Sequence, residues 1–453
     1  MSGEKVSNVS DRGAFKSSLG FVLAAAGSAV GLGNFWRFPY MAGTGGGGAF
    51  VLVYLLIVVF VGISLLLVEF SIGRHGKANA IDSYRKIAPP MQWIGYLGFF
   101  SAFIFLSYFS VVGGWTIHYT LRSVTGLLSL SPDKFGAAFG GFISNPWLPL
   151  LYHFLFMAAT VFIIAKGISE GIEKYNKILM PSLLILSLIL VLRSVTLPGA
   201  GQGVVWYLKP DFSKITWGTL VAALGQVFFS LSVGMSGMVT YASYLNKNEN
   251  LGKTALQVAI ADTAVAFIAG FMIFPAVFAF GMEPGAGPGL LFITLPAVFS
   301  KMPLGALFCF IFFFLVFIAA LTSSISILEM PVAYLVEKKN MPRPKAAILV
   351  GGISYVLGIA VSFSFGIWGN FKIFGKDIFS LFDYFGSNIS LPLGALGAAI
   401  TVGWFWKKKG ATDEITNNGT VLSPQIANGW FFLVKWVIPV VIFIIFLSSI
   451  GII

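Results

Sequence analysis

Eleven apolar stretches alternate with short polar ones along the chain, at roughly 15–39, 46–72, 93–122, 150–166, 174–193, 214–247, 252–281, 305–336, 345–367, 376–406 and 429–451. A helix needs about 20 predominantly apolar residues to cross a bilayer. The pattern therefore predicts an all-α polytopic membrane protein with eleven transmembrane helices. Between the seventh and eighth segments lies a shorter run, LLFITLPAVF, at 290–299. It is too short to span and is expected as an extracellular loop helix.

Two segments are interrupted in ways a simple span does not tolerate. The first carries Gly27, Gly31 and Gly33, followed by Asn34, Arg37 and Pro39. The sixth contains SLSVGMSGM at 230–238. In lipid, backbone N–H and C=O groups released by such breaks stay unsatisfied unless an ion, a substrate, water or other protein groups use them. Paired interruptions in two halves of a chain mark the binding site of a secondary transporter. Segments one to five and six to ten each open on a break, and five is odd, so the second half lies inverted on the first. The expected layout is an N-terminal tail at 1–14, one repeat at 15–193, its inverted partner at 214–406, and an eleventh helix at 429–451 outside the 5+5 repeat.

The first break carries two kinds of chemistry. Carbonyls near Gly27, Ala29 and Val30, with the Asn34 side chain, form the uncharged oxygen set that hard cations prefer. The N–H groups of Leu32 and Gly33, at a half-helix N-terminus, suit an anionic group such as a carboxylate. The competing explanation is a small-residue packing face between helices. In segment eight, Ala319, Thr322 and Ser323 share one helix face at i, i+3 and i+4, a second candidate cation site. Their hydroxyls would otherwise bond back to their own helix.

Acidic residues inside apolar stretches need partners. Asp262 is the best candidate for a charged cation ligand. Glu69 is expected to accept N–H groups freed in the second break, and Asp383 to pair with Arg37. Glu329 is expected to bond to backbone.

Composition narrows the class further. The chain is 57% hydrophobic with a net charge of +12. Its Lys and Arg residues concentrate in alternate loops, the positive-inside pattern, which puts the N-terminus in the cytoplasm and the C-terminus outside. The charge sets topology and points to no nucleic acid. The first apolar stretch lacks a convincing cleavage site and is expected to be retained. Cys309 is the single cysteine, so no intramolecular disulfide forms. The three histidines have no metal-ligand spacing, and no nucleophile–His–Asp set can be argued. GGGG at 45–48 lacks a phosphate-loop lysine. The chain is not expected to be an enzyme.

Five strings carry a resemblance: GSAVGLGNFWRFPY at 27–40, GGGGAF at 45–50, GIEKYNKILMP at 171–181, TYASY at 240–244 and ALTSSISILEMP at 320–331. Together they resemble the neurotransmitter:sodium symporter family, which has the leucine-transporter fold, nearly continuously over 12–406. The resemblance implies a first sodium site at Ala29, Asn34, Ser230 and Asp262, completed by the substrate carboxylate. It implies a second at Gly27, Val30, Ala319, Thr322 and Ser323. The substrate would bind Leu32 and Gly33 by its carboxylate, with its side chain among Phe229, Ser232, Met235, Ser323 and Ile327 and an aromatic of segment three. Arg37 and Asp383 resemble the family's extracellular gate, and Arg12, Tyr244 and Glu337 its intracellular one. Gly171 and Pro181 match its glycine–nine residues–proline spacing, where segment five unwinds.

Three departures qualify the match. The family's tyrosine pair reads Tyr108-Phe109 here, and counting back from Trp115 puts Phe109 toward the substrate. Position 262 is Asp where many members have Asn. The usual twelfth segment is absent, so the resemblance carries over no dimer contact made by it.

The expectation is a symporter of a bacterial inner membrane. It would take up hydrophobic L-amino acids, aliphatic and aromatic, with two Na+ ions and without chloride. The rival is a non-transporting amino-acid sensor of the same fold.

Overall fold

The computed structural model describes residues 13–282 and 289–452. Nine helices there are long and apolar enough to cross a membrane, and one bent pair forms a tenth span. In chain order they are α1 (Ser18–Ala29 with Gly33–Thr44), α2 (Gly48–Gly76), α3 (Pro89–Val124), α4 (Leu148–Ala165) and α5 (Ile168–Val195). A second interrupted helix, α6, is formed by Trp217–Ser230 and Gly237–Ala242. Then come α7 (Leu251–Ala279), α8 (Gly305–Lys339), α9 (Arg343–Phe363), α10 (Ile378–Phe405) and α11 (Pro424–Ser449). Counting α6 gives eleven helices among the described residues, the first and sixth of them discontinuous, as expected from the sequence.

Local chemistry places the starts. Ser17, Thr216, Asn250, Asp377 and Ser423 each accept a backbone N–H three residues on, at the heads of α1, α6, α7, α10 and α11. Such caps satisfy donors that the first turn leaves free. Burial then sorts the helices. In α3, 72% of the apolar window is covered, against 28% in α5 and α11. The former lies inside the bundle and the latter two face its apolar surroundings. Nearly every residue of the α1 and α6 breaks is buried, and α8 packs along α3 beside them.

The structure moves several expected boundaries. The first segment does not stop at 39 but runs to Thr44: Pro39 comes just after the wide π-helical turn Gly33–Arg37, whose looser winding accommodates a residue that donates no backbone hydrogen bond. The connections hold short helices at Ala80–Ile87, Phe135–Ile143, Ala200–Leu208 and Lys408–Thr416. The loop helix is present as Leu290–Ser300, with Phe292 stacked on Phe139 at 5.2 Å. Residues 283–288 of that connection lie outside the described residues. Wide π-helical turns interrupt α1, α2, α5, α10 and α11, a feature that hydropathy does not encode.

A polar latch ties down the face of the bundle where α1 begins. Arg74, buried at the end of α2, donates to the Glu414 carboxylate at 2.6 Å, to the carbonyls of Lys247 (3.2 Å) and Glu249 (2.5 Å), and to the Glu414 carbonyl. Burial opposes the charge on Glu414. Hydrogen bonds from His75 and Arg74, with the arginine charge, outweigh it and hold the carboxyl below the usual glutamate range. A depressed carboxyl stabilises the fold above the ordinary glutamate pKa and ceases to do so as pH falls through the folded one. Arg74→Ala should cost about 2 kcal/mol locally, so amide exchange in 408–416 should quicken about thirtyfold. Exchange at the wild-type rate would show that the latch does not hold that helix.

Candidate functional site

The α1 break is short. Val30 is extended (φ −72°, ψ 102°), and the chain re-enters helix at Gly33 with a bend of 48°. Asn34 closes the gap: its Oδ1 accepts the Gly31 N–H at 2.9 Å. The α6 break spans Leu231–Ser236 and needs left-handed backbone at Ser232 (φ 53°), Gly234 (φ 91°) and Ser236 (φ 63°). Gly234 suits such a turn, since L side chains pay for positive φ. Its N–H donates to Glu69 at 2.6 Å, the partner expected of that carboxylate. Gln226, one turn before Ser230, donates to the Gly33 carbonyl at 3.0 Å.

A first oxygen cluster forms where α1, α6 and α7 meet. Asn34 Nδ2 donates to Asp262 Oδ1 at 2.7 Å and to the Asp262 carbonyl at 3.0 Å. The Ser230 hydroxyl lies 2.8 Å and 3.0 Å from the two carboxylate oxygens. Tyr54 of α2 adds its hydroxyl at 3.4 Å. Asn34, Ser230 and Asp262 are thus together and fully buried. Ala29, the fourth expected member, ends the first half of α1 and lines the adjoining cavity.

A second cluster joins α1 to α8. The Ser323 hydroxyl lies 3.1 Å from the Ser28 carbonyl, 3.4 Å from that of Val30 and 3.5 Å from that of Gly27. Thr322 reaches Val30 at 3.4 Å and its own helix at Ala319 (3.0 Å) and Ile318 (3.1 Å). Back-bonding within the helix thus accounts for part of Thr322 but not for Ser323, whose bonds cross to α1. Gly27, Val30, Ala319, Thr322 and Ser323 converge here.

Between the breaks is a small pocket. Of the residues expected there, Ala29, Leu32, Gly33, Phe109, Phe229, Ser232, Met235, Ser323 and Ile327 line it. Tyr108 does not. It faces a larger neighbouring chamber shared with Arg37 and Asp383. Phe109 and Phe229, with ring centroids 5.9 Å apart, line both spaces and form the partition between them. Sequence reading missed Phe105 and Leu391 in the wall, and Tyr54 and Gln226 behind it. Gln226 had a signal, a polar residue one turn from Ser230 in an apolar segment. The others are ordinary members of apolar runs.

Both expected gates differ in detail. Arg37 sits over the Phe229 ring at 4.6 Å and donates to Ser387 at 3.1 Å, and Ser387 donates to Asp383 at 3.2 Å. The expected direct pairing of Arg37 with Asp383 is replaced by a relay, because Ser387 stands one turn after Asp383 on α10 and occupies the space between. At the opposite end, Tyr244 donates to Glu329 at 2.7 Å. Glu329 does not bond to backbone as expected. Arg343 grips it with two donors at 2.7 Å and 3.0 Å, the paired fork that makes a buried carboxylate tolerable. Glu337 accepts the Asn79 backbone and side-chain amides at 2.7 Å and 3.0 Å. Arg12 lies outside the described residues. On α5, Gly171 is in the π-helical turn Ile168–Glu173 and Pro181 inside Lys174–Val195, and the segment is wound throughout.

The geometry has known counterparts. An uncharacterized sodium-dependent transporter of Bacillus subtilis (strain 168) is 42% identical over 96% of this chain and 97% of its own length. A human sodium- and chloride-dependent GABA transporter 2 is 28% identical over 93% of this chain and 78% of its own. The crystal structure of MhsT in complex with L-phenylalanine superposes with a TM-score of 0.90 at 44% identity, covering 97% of this chain and all of that one. The model of the sodium:neurotransmitter symporter family matches residues 12–132 and 147–453. With the two broken helices and the clusters they carry, this match establishes that the chain is a membrane transporter, not an enzyme, belonging to the sodium:neurotransmitter symporter family.

Proposed function

We propose that the protein is a sodium-coupled symporter that takes up hydrophobic L-amino acids, aliphatic and aromatic, by alternating access, without chloride. One observation carries this reading: two buried oxygen clusters flank a mostly apolar pocket whose wall includes Leu32 and Gly33 at the α1 break. The cavity wall holds Phe105, Phe109, Phe229, Met235, Ile327 and Leu391 and no carboxylate, which favours an apolar side chain. The phenylalanine named for MhsT supports the same class. The substrate carboxylate would meet the N–H groups of Leu32 and Gly33. One sodium ion would sit at Ala29, Asn34, Ser230 and Asp262, and the other at Gly27, Val30, Ala319, Thr322 and Ser323. Arg37, Ser387 and Asp383 would close the outer side, and Tyr244 and Glu337, with Arg12, the inner. The membrane would be a bacterial inner membrane, with 1–14 cytoplasmic and the C-terminus outside, and the two repeats would span 15–193 and 214–406. Substrate-dependent sodium flux in proteoliposomes tests the whole reading, and substrate binding with no such flux would favour a sensor.

Asp262 supplies the negative charge that a chloride ion would otherwise bring beside the first site, and two buried anions side by side exclude each other. Sodium-driven uptake should be equal in chloride and gluconate. Asp262→Asn should lower it in gluconate by about tenfold or more, the equivalent of losing a charged hydrogen-bond partner. Uptake confined to chloride buffer would refute the chloride-independent mechanism.

Two clusters predict two ions. Thr322→Ala and Ser323→Ala should each raise the sodium concentration for half-maximal uptake about tenfold while leaving substrate preference alone, given about 1–3 kcal/mol for a lost ligand. A Hill slope near unity that neither change alters would indicate one site.

The inner path should open by unwinding α5. Pro181 leaves the Lys177 carbonyl without its helical donor, and Gly171 lowers the cost of non-helical backbone. Pro181→Ala should slow turnover about tenfold, the effect of roughly 1.4 kcal/mol added to the opening step, and leave equilibrium substrate affinity nearly intact. Wild-type turnover in that variant, with sodium-independent amide exchange at 172–178, would exclude unwinding.

A further inference from the structure

Asn176 stands midway between Gly171 and Pro181 on α5, with its side chain fully buried against α1. Its Nδ2 donates to the Ile172 carbonyl at 2.9 Å, which fixes the amide so that Oδ1 points the other way. Among the described residues, Oδ1 accepts no hydrogen bond. It lies against Gly27: a Cβ built there would fall 2.2 Å from Oδ1 and 3.4 Å from Met180 Sδ. Gly27 also offers its carbonyl to Ser323 in the second cluster, at 3.5 Å. A buried, unpartnered carboxamide oxygen therefore sits on the far side of the residue that contributes to the cluster.

Packing alone accounts poorly for it. A buried acceptor without a donor costs about 1–3 kcal/mol, whereas an apolar side chain of the same size carries no such cost. The residues around it form a series. Glu173, three positions earlier on the same face of α5, is also buried and accepts the Lys16 N–H (2.6 Å), the Ser17 hydroxyl (3.0 Å) and Lys177 (2.6 Å). Three helical residues rise about 4.5 Å. Oxygen acceptors thus lie stepwise along the α1–α5 seam, from the second cluster through Asn176 to Glu173 and the exposed Glu170–Lys16 pair.

We propose that Asn176 Oδ1 is a sodium ligand on the inward exit from the second cluster, one the ion meets after it leaves Gly27, Val30, Ala319, Thr322 and Ser323. The inference rests on the reading of that cluster as a sodium site. Asn176 lies in the segment that would unwind, so opening breaks its bond to Ile172 and frees the amide to follow the ion. The closed helix holds the oxygen one step from the cluster, and the open one carries it toward water.

The test uses the full-length transporter with sodium-22 and L-phenylalanine as probes. Asn176→Leu should slow sodium release into the cytoplasmic side of proteoliposomes about tenfold, the rate equivalent of one lost ligand. The sodium concentration for half-maximal phenylalanine binding should stay within about twofold of wild type, because the resting cluster is intact. Asn176→Asp keeps an oxygen in place and adds charge, so it should lower that concentration about tenfold. Sodium release at the wild-type rate in Asn176→Leu, or an unchanged sodium requirement in Asn176→Asp, would overturn the proposal. If the leucine variant does not fold, Asn176→Ala takes its place: it also removes the oxygen, and sodium release at the wild-type rate would overturn the proposal. Thr322→Ala shifting the sodium requirement while both Asn176 variants stay neutral would remove only this inference. Wild-type binding indifferent to sodium would remove the parent reading with it.

Discussion

In a bilayer a peptide group cannot turn to water, and that constraint shapes this molecule more than any other. Two helices break at its centre, and each break exposes donors and acceptors that must be met from inside the bundle. Asn34 meets the Gly31 N–H, Glu69 that of Gly234, and Gln226 the Gly33 carbonyl. These three side chains hold the broken backbone in one geometry. A site assembled from main-chain groups becomes rigid in this way, without lengthening either helix.

The same short stretch of α1 serves both clusters. Its carbonyls at Gly27, Ser28 and Val30 face α8, and four residues later Asn34 faces α6 and α7. A shift of the first half of α1 therefore disturbs the second cluster directly and the first through the break. Coupling two clusters through one segment needs no long pathway, since a single two-state element biases both. The packing agrees, for the first half of α1 touches α5, α7 and α8 at once.

Much of this was legible in the sequence wherever a local rule applied. The i, i+3, i+4 spacing put Ala319, Thr322 and Ser323 on one face, and glycines beside Asn34 marked the break. Glu69 could be matched to the second break because a carboxylate in an apolar run must find donors. Tyr54, Ser387 and Arg343 were invisible for one reason. Tyr54 and Ser387 meet partners hundreds of positions away, and Arg343 lies across a helix end from Glu329. No periodicity records such meetings. Tyr108 and Phe109 show the limit from the other side: adjacent aromatics differ by about 100° on a helix, enough to send them to separate chambers.

The contact between α1 and α10 has a consequence of its own. Arg37 and Asp383 communicate through a hydroxyl, and the guanidinium rests on the face of Phe229. A bare ion pair at a water-filled mouth weakens as counterions screen it. A relay through a hydroxyl, with hydrogen bonds of 3.1 Å and 3.2 Å and the cation seated on an aromatic ring, depends less on the surrounding electrolyte. The contact between α1 and α10 therefore keeps its grip over a wide range of ionic strength.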